Sequence, residues 1–368
     1  MTLPTASPLV VCLGAHILDI LGRPVTAIPP GQGSVLLEEI RLTAAGTAAG
    51  TAVDLAKLGA RVVSMGAIGD DGLGRLLVSL LDAHGVDTTH LARVPGPQTS
   101  ATMLPIRPNG ERPALHVPGA TPHLRPGDVD LGVIAAADVL HVGGPDVLGP
   151  FAGEPLAAVL AAARAGGTLV TMDLLRPGAP EVLDRLAPLL GLVDWFLPNS
   201  DQLLAITAAG DLDGAVKTVL DAGAGAVAVT LGADGSRIVA GGTDAHIPAL
   251  PVRVVDTTGC GDAYSAGFIT GLCRGWDPLA AGRLGTAAAA LVAQGLGSDA
   301  TLTSFAQAAD LLAGASASPG EHSASPGASP RTPRPEAPRW PEAPFLRHGT
   351  SALPAEVTNT SGKTETPR

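Results

Sequence analysis

Aromatic residues are scarce: three Trp, one Tyr and five Phe among 368 residues. The core must therefore be built from Ala, Val, Leu and Ile. Cysteines are equally few, and the spacing of Cys12, Cys260 and Cys273 suits neither a zinc ligand set nor a disulfide framework. Lys and Arg total 23 against 34 Asp and Glu, a net charge of -11, so the basic face that nucleic acids require is missing. No apolar run approaches the roughly 18 residues of a membrane span. The polar stretch Met1–Pro8 lacks the basic start of a signal peptide. Together these absences predict a soluble, cytoplasmic protein with no nucleic-acid or membrane partner. Two nucleotide-binding patterns are lacking as well. There is no G-x-x-x-x-G-K-[ST] loop, and the pairs Gly143-Gly144 and Gly166-Gly167 do not have dinucleotide-fingerprint spacing.

Glycine and proline are abundant, 47 and 33 residues. Ten of the prolines fall between Ser316 and Arg368, where SASPG is written twice. Such a composition buries too little surface to offset its ordering entropy, and it predicts a disordered Pro/Ser/Ala-rich tail over 316–368. The remainder, 9–313, reads as one domain. It alternates β-branched runs (Leu9–Leu13, Arg61–Met65, Val139–Val142, Thr168–Met172, Trp195–Leu197, Ala226–Thr230, Arg237–Ala240) with Ala/Leu-rich helical stretches. The helices are expected at Ala48–Leu58, Gly72–His84, Pro155–Ala165, Pro180–Leu189, Leu212–Ala222, Asp262–Arg274 and Pro278–Ala293. Near-continuous apolar strands between helices predict an α/β sandwich whose mostly parallel central sheet is covered on both faces. Two stretches break the rhythm. Extended segments at 24–42, and a hairpin at 100–117 turning on Pro108-Asn109-Gly110, predict a small β layer, either a lid over a site or a decorated sheet edge.

The chemistry concentrates in Asp256-Thr257-Thr258-Gly259-Cys260-Gly261-Asp262. A short strand is expected to end at Asp256, and a Gly-rich turn then opens a helix. The N–H groups of Gly259, Cys260 and Gly261 would form an anion site at that helix N-terminus. A carboxylate beside an anion site is repulsive unless it has work there. Asp262 is therefore read as the base that takes a proton from a hydroxyl attacking the anion, against the alternative of an N-terminal cap.

DTTGCGD resembles the C-terminal signature of the ribokinase/PfkB family of sugar and nucleoside kinases, and the resemblance extends from about Leu9 to Ser298. It implies a ribokinase-like fold with a β lid, ATP and Mg2+ as cofactors, and Asp262 as catalytic base. Gly259, Cys260 and Gly261 would be the anion hole for the transferred phosphoryl. It also implies a monovalent cation, K+, at Asp256 and Thr258. On the acceptor side, Ala45-Gly46-Thr47-Ala48-Ala49-Gly50 fits the frame of a G-G-x-x-x-N motif, with Gly50 in place of Asn, so Gly46, Thr47 and Gly50 become substrate-binding candidates. Asp19, five residues after Gly14, falls where related kinases grip sugar hydroxyls. On the nucleotide side Asn199 matches N-x-x-E, with Gln202 in place of Glu, and Thr230, Gly232 and Gly235 match a T-x-G-x-x-G loop. The nearby Asp70 and Asp71 read as helix-start acids. The resemblance implies an ATP-dependent kinase for a hydroxymethyl group of a sugar, and a homodimer paired through the lid. Alternatives are a nucleoside kinase or a non-catalytic sugar-binding sensor. Phe151 is the first aromatic in the chain, so the lid has no ring on which a base could stack.

Overall fold

A computed structural model describes residues 7–316. Its frame is a nine-stranded sheet that includes the first strand, β1 (Leu9–Gly14). In chain order follow β2 (Ile17–Arg23), β3 (Glu39–Ala45), α1 (Thr47–Lys57), β4 (Arg61–Gly69), α2 (Gly72–Ala83), β5 (Asp87–Val94), β6 (Ala101–Pro105) and β7 (Leu115–Val117). Next come α3 (Leu131–Ala135), β8 (Val139–Gly143), α4 (Glu154–Gly166), β9 (Leu169–Asp173), α5 (Pro180–Leu190), β10 (Trp195–Phe196), α6 (Ser200–Thr207) and α7 (Leu212–Asp221). The last group is β11 (Val227–Thr230), β12 (Ser236–Ala240), β13 (Thr243–Ile247), α8 (Cys260–Cys273), α9 (Pro278–Val292) and α10 (Phe305–Ser316).

The strand order is β13-β12-β11-β10-β9-β8-β1-β4-β5, parallel from β11 to β5 and antiparallel at the β12 and β13 end. Alternation along β1 shows why both faces are covered. Val11 and Leu13 pack with Leu156, Leu186, Leu203 and Val216 of α4 to α7, while Val10 and Cys12 pack with Leu55, Ile269 and Leu284 of α1, α8 and α9. Five of the described aromatics, Phe151, Trp195, Phe196, Tyr264 and Phe268, are buried. Phe268 lies edge-on to Trp195 with ring centroids 4.8 Å apart, and Tyr264 stacks beyond it.

A second sheet of four strands, ordered β3-β2-β6-β7, stands apart from the first. This is the expected β layer with different bounds. Its strands are Ile17–Arg23 and Glu39–Ala45, and 24–38 carries no strand because Pro24, Pro29 and Pro30 cannot donate to a ladder. The hairpin pairs Ala101 with Val117 and Met103 with Leu115. Its strands cover only part of the expected 100–117 hairpin because the turn bonds, such as Arg107 N–H to the Glu111 carbonyl, occupy the residues between them. The strand expected before Asp256 does not form. The Val255 and Asp256 N–H groups instead donate to the Ala293 carbonyl just beyond α9. α10 extends the body to Ser316, past the expected boundary at 313, and the expected tail beyond it lies outside the described residues.

Candidate active site

The C-terminal ends of β9, β10 and β11, the base of the lid and the N-termini of α1 and α8 surround a cleft of about 180 Å3. Ligands of parallel sheets bind at such strand ends. Gly259 opens α8 with φ 79°, and an added Cβ would lie 2.6 Å from the Ser298 Cβ, so only glycine fits this turn. Gly259 and Gly261 line the cleft. The Cys260 N–H is directed elsewhere, donating to the Thr257 carbonyl at 3.3 Å, and burial pushes its thiol up to about 12. Of the three residues expected at an anion hole, two border the cleft.

Asp262 is in the first turn of α8, 8% exposed, and lines the same cleft. It does not cap the helix: Gly259 occupies that position, and no side chain accepts from the N–H groups there as a cap. Among the described residues no side chain donates to the Asp262 carboxylate. Burial lifts it to about 7, with the Asp19 charge adding to the rise and Arg112 opposing it. Asp19, on β2 between Thr43 and Thr102, is raised to about 6 by burial, against the Thr102 hydroxyl and the Arg112 charge. Strand pairing, rather than a loop, therefore holds Asp19 at the mouth of the cleft.

Gly46 and Thr47 line the cleft at the head of α1, and the Thr47 hydroxyl has no hydrogen-bond partner among the described residues. Gly50 is buried one turn further on and does not line it. On the opposite side Asn199 caps α6 reciprocally with Gln202: the Gln202 N–H donates to Asn199 Oδ1 at 2.8 Å, and the Asn199 N–H to Gln202 Oε1 at 2.9 Å. Gln202 Nε2 also donates to the Leu174 carbonyl at 2.8 Å, so both ends of the amide standing in place of Glu bond within the protein while the residue borders the cleft. Thr230 reaches the cleft through a bridge to Asn199, whereas Gly232 and Gly235 form the turn between β11 and β12.

Asp256 accepts from the Thr258 N–H at 3.0 Å, the Thr258 hydroxyl at 2.9 Å and the Gly297 N–H at 3.0 Å. It thereby ties the turn before α8 to the loop after α9. Asp71 caps α2 through the Gly74 N–H and also accepts from Thr99, a structural role. His16 is fully buried, bonded to the Gly14 carbonyl, and held neutral with burial lowering it to about 4.

Two charged cleft residues carry no motif. Asp173 ends β9, where burial and the Asp262 charge raise its carboxyl well above the usual range. Its signal was position, an acid at the C-terminal end of a parallel strand. Arg112 comes from the lid hairpin and sets its charge against Asp19 and Asp262. Nothing local in the sequence marks that reach.

A family model described as pfkB family carbohydrate kinase matches residues 7–304. The ribokinase of Haemophilus influenzae is 30% identical over 269 residues, covering 71% of this chain and 84% of that protein. The fructokinase of Klebsiella pneumoniae is 30% identical over 269 residues, with 71% and 83% coverage. The crystal structure of adenosine kinase from Sinorhizobium meliloti superposes with a TM-score of 0.70 at 27% identity, covering 83% of this chain and 99% of that one. The fold is the ribokinase-like three-layer sandwich with a small second sheet. Since the match spans nearly the whole body, from the residues before β1 to those before α10, the chain belongs to the pfkB family of carbohydrate kinases, phosphotransferases that act on an alcohol group.

Proposed function

We propose that this chain is an ATP-dependent kinase that phosphorylates a hydroxymethyl group of a sugar, with Asp262 as base. The observation that carries the reading is a buried carboxyl without donors, raised to about 7, beside the exposed head of α8. Asp19 and the free Thr47 hydroxyl orient the acceptor hydroxyls. The attacking oxygen forms a bond to the γ-phosphorus as the bond to the β-phosphate oxygen breaks. Its proton passes to Asp262, and the Gly259 and Gly261 N–H groups together with the α8 dipole meet the developing phosphoryl charge. Positioning supplies most of the rate.

ATP enters as its magnesium complex. Among the described residues no group of three His, Cys, Asp or Glu side chains could hold a metal, and the side-chain oxygens of Asn199 and Gln202 each accept from the other's backbone N–H. The metal is therefore carried by the nucleotide phosphates and water, as is common for Mg2+. Potassium at Asp256 and Thr258 is left out of this reading, since the Asp256 oxygens already accept three hydrogen bonds from the turn and from Gly297.

A sugar is favoured over a nucleoside because, among the described residues, none lining the cleft is aromatic. Release of ADP measured across ribose, fructose, other sugars and adenosine tests the choice. Sugars should give the higher kcat/KM, and adenosine above every sugar would reverse it. A second copy of this chain is the expected partner, because the lid leaves an apolar row exposed. Leu42, Ile20, Met103 and Leu115 stand opposite one another across β3, β2, β6 and β7, with Met103 54% and Leu115 55% exposed. A reducing, cytoplasmic setting accords with the three free thiols, none of them paired.

A further inference from the structure

Gly50 lies inside α1, where glycine is a poorer choice than alanine and where its backbone is ordinarily helical. The missing side chain has one visible consequence. A Cβ built there would fall well inside contact with Asp262 Oδ2, 2.9 Å from Asp262 Cγ and 3.2 Å from Asp262 Cβ. These three nearest atoms all belong to the Asp262 side chain, and none is backbone. The carboxylate is thus seated in a notch on α1. One position along, the Thr51 hydroxyl reaches the Asp262 carbonyl at 3.5 Å and joins α1 to the first turn of α8. One turn further along α1, Asp54 is fully buried, with Lys57 Nζ 3.7 Å from its Oδ1.

We infer that Gly50 is a positioning residue for phosphoryl transfer: the space left by its absent side chain seats the Asp262 carboxylate where it meets the acceptor hydroxyl. The inference rests on Asp262 being the base. A methyl group at this position leaves the helix intact, because the atoms in its way all belong to one side chain and the tightest of them is its carboxylate end. That end must move by about 1 Å to reach ordinary contact, and a misplacement of that size costs on the order of 100-fold in rate. The groups facing Asp262 are Cys12 from β1, Asp19 from β2, Asp54 from α1, Asp173 from β9, Cys260 beside it and Arg112 from the lid hairpin. None of them is altered by the substitution, so a change in the pH profile reports the seat itself.

The experiment compares Gly50→Ala and Asp262→Asn with the wild-type full chain, using the best sugar acceptor. For Gly50→Ala the expected result is kcat down by about 100-fold, KM for ATP within about twofold and a melting temperature no lower than wild type. The acid limb of kcat should move to lower pH as the carboxylate leaves its recess for the open cleft. An inactive Asp262→Asn beside a Gly50→Ala enzyme within about threefold of wild-type kcat would overturn this inference alone. A Gly50→Ala chain that does not fold would also overturn it, since more than a side-chain end would then fill the notch. Near-normal turnover by Asp262→Asn would remove the base and this inference with it.

Discussion

At the scale of single residues, the decisive contest is over Asp262. Asn keeps the shape of the side chain but cannot take a proton, and removing a general base costs roughly 10²–10⁴-fold in rate. Asp262→Asn should therefore lose kcat by that order while its Kd for an ATP analogue, read by calorimetry, stays near wild type. The pH dependence follows from the same environment. Burial raises the carboxyl to about 7, and only the ionised form accepts a proton. Below that pH the group is protonated and kcat/KM falls, whereas above it the profile levels. An acid limb near the ordinary carboxylate range would place the base elsewhere. Gln202 and Asp71 make a contrasting pair. Both bear polar groups close to motifs, yet the structure gives each a capping duty and little freedom to meet a ligand.

At the scale of elements, the main-sheet strands and the long helices were legible because their apolar patterning is local. β1, β8 and β9 read as near-continuous apolar runs, and α8 and α9 as helices rich in small residues, each within one or two residues of its expected bounds. The elements that escaped were those whose pairing is non-local or whose composition is mixed. β5 carries Thr, His and Arg at the sheet edge, and β2 holds Asp19 in mid-strand while pairing with both β3 and β6. Before Asp256 the opposite error arises. Val252, Val254 and Val255 look like a strand, but they join no sheet, and the Val255 N–H bonds the residue after α9 instead. The lid sheet supports a prediction of its own. Met103 is exposed in the middle of the apolar row, so Met103→Glu should convert a dimer into a monomer in light scattering with the body still folded. A wild-type chain that is monomeric at high concentration would refute lid-to-lid pairing.

At the scale of the whole molecule, the body is complete at α10. Ala308 of that helix is buried against the core shared with α1 and α9, while Leu302 anchors the approach to it. Residues 317–368 have the proline-rich, weakly apolar composition that does not build a core. Truncation after Ser316 should leave kcat/KM within about twofold and the melting temperature nearly unchanged. A large loss of either would show that the segment contributes to the body.

The sequence by itself determined the fold class, the run DTTGCGD at the head of a helix and the acid within it, because periodicity and short motifs are written in neighbouring residues. Tertiary structure alone decided that Asp173 and Arg112 share the cleft, that Cys260 turns its N–H away, and that Asp262 rests against Gly50. The physical reason is the strand order. Threading β1 between β8 and β4 packs α1 against α8, and it brings Thr51 to Asp262 across 211 positions of chain. Burial at that junction, a property of the assembled layers, is what lifts an ordinary carboxylate to about 7.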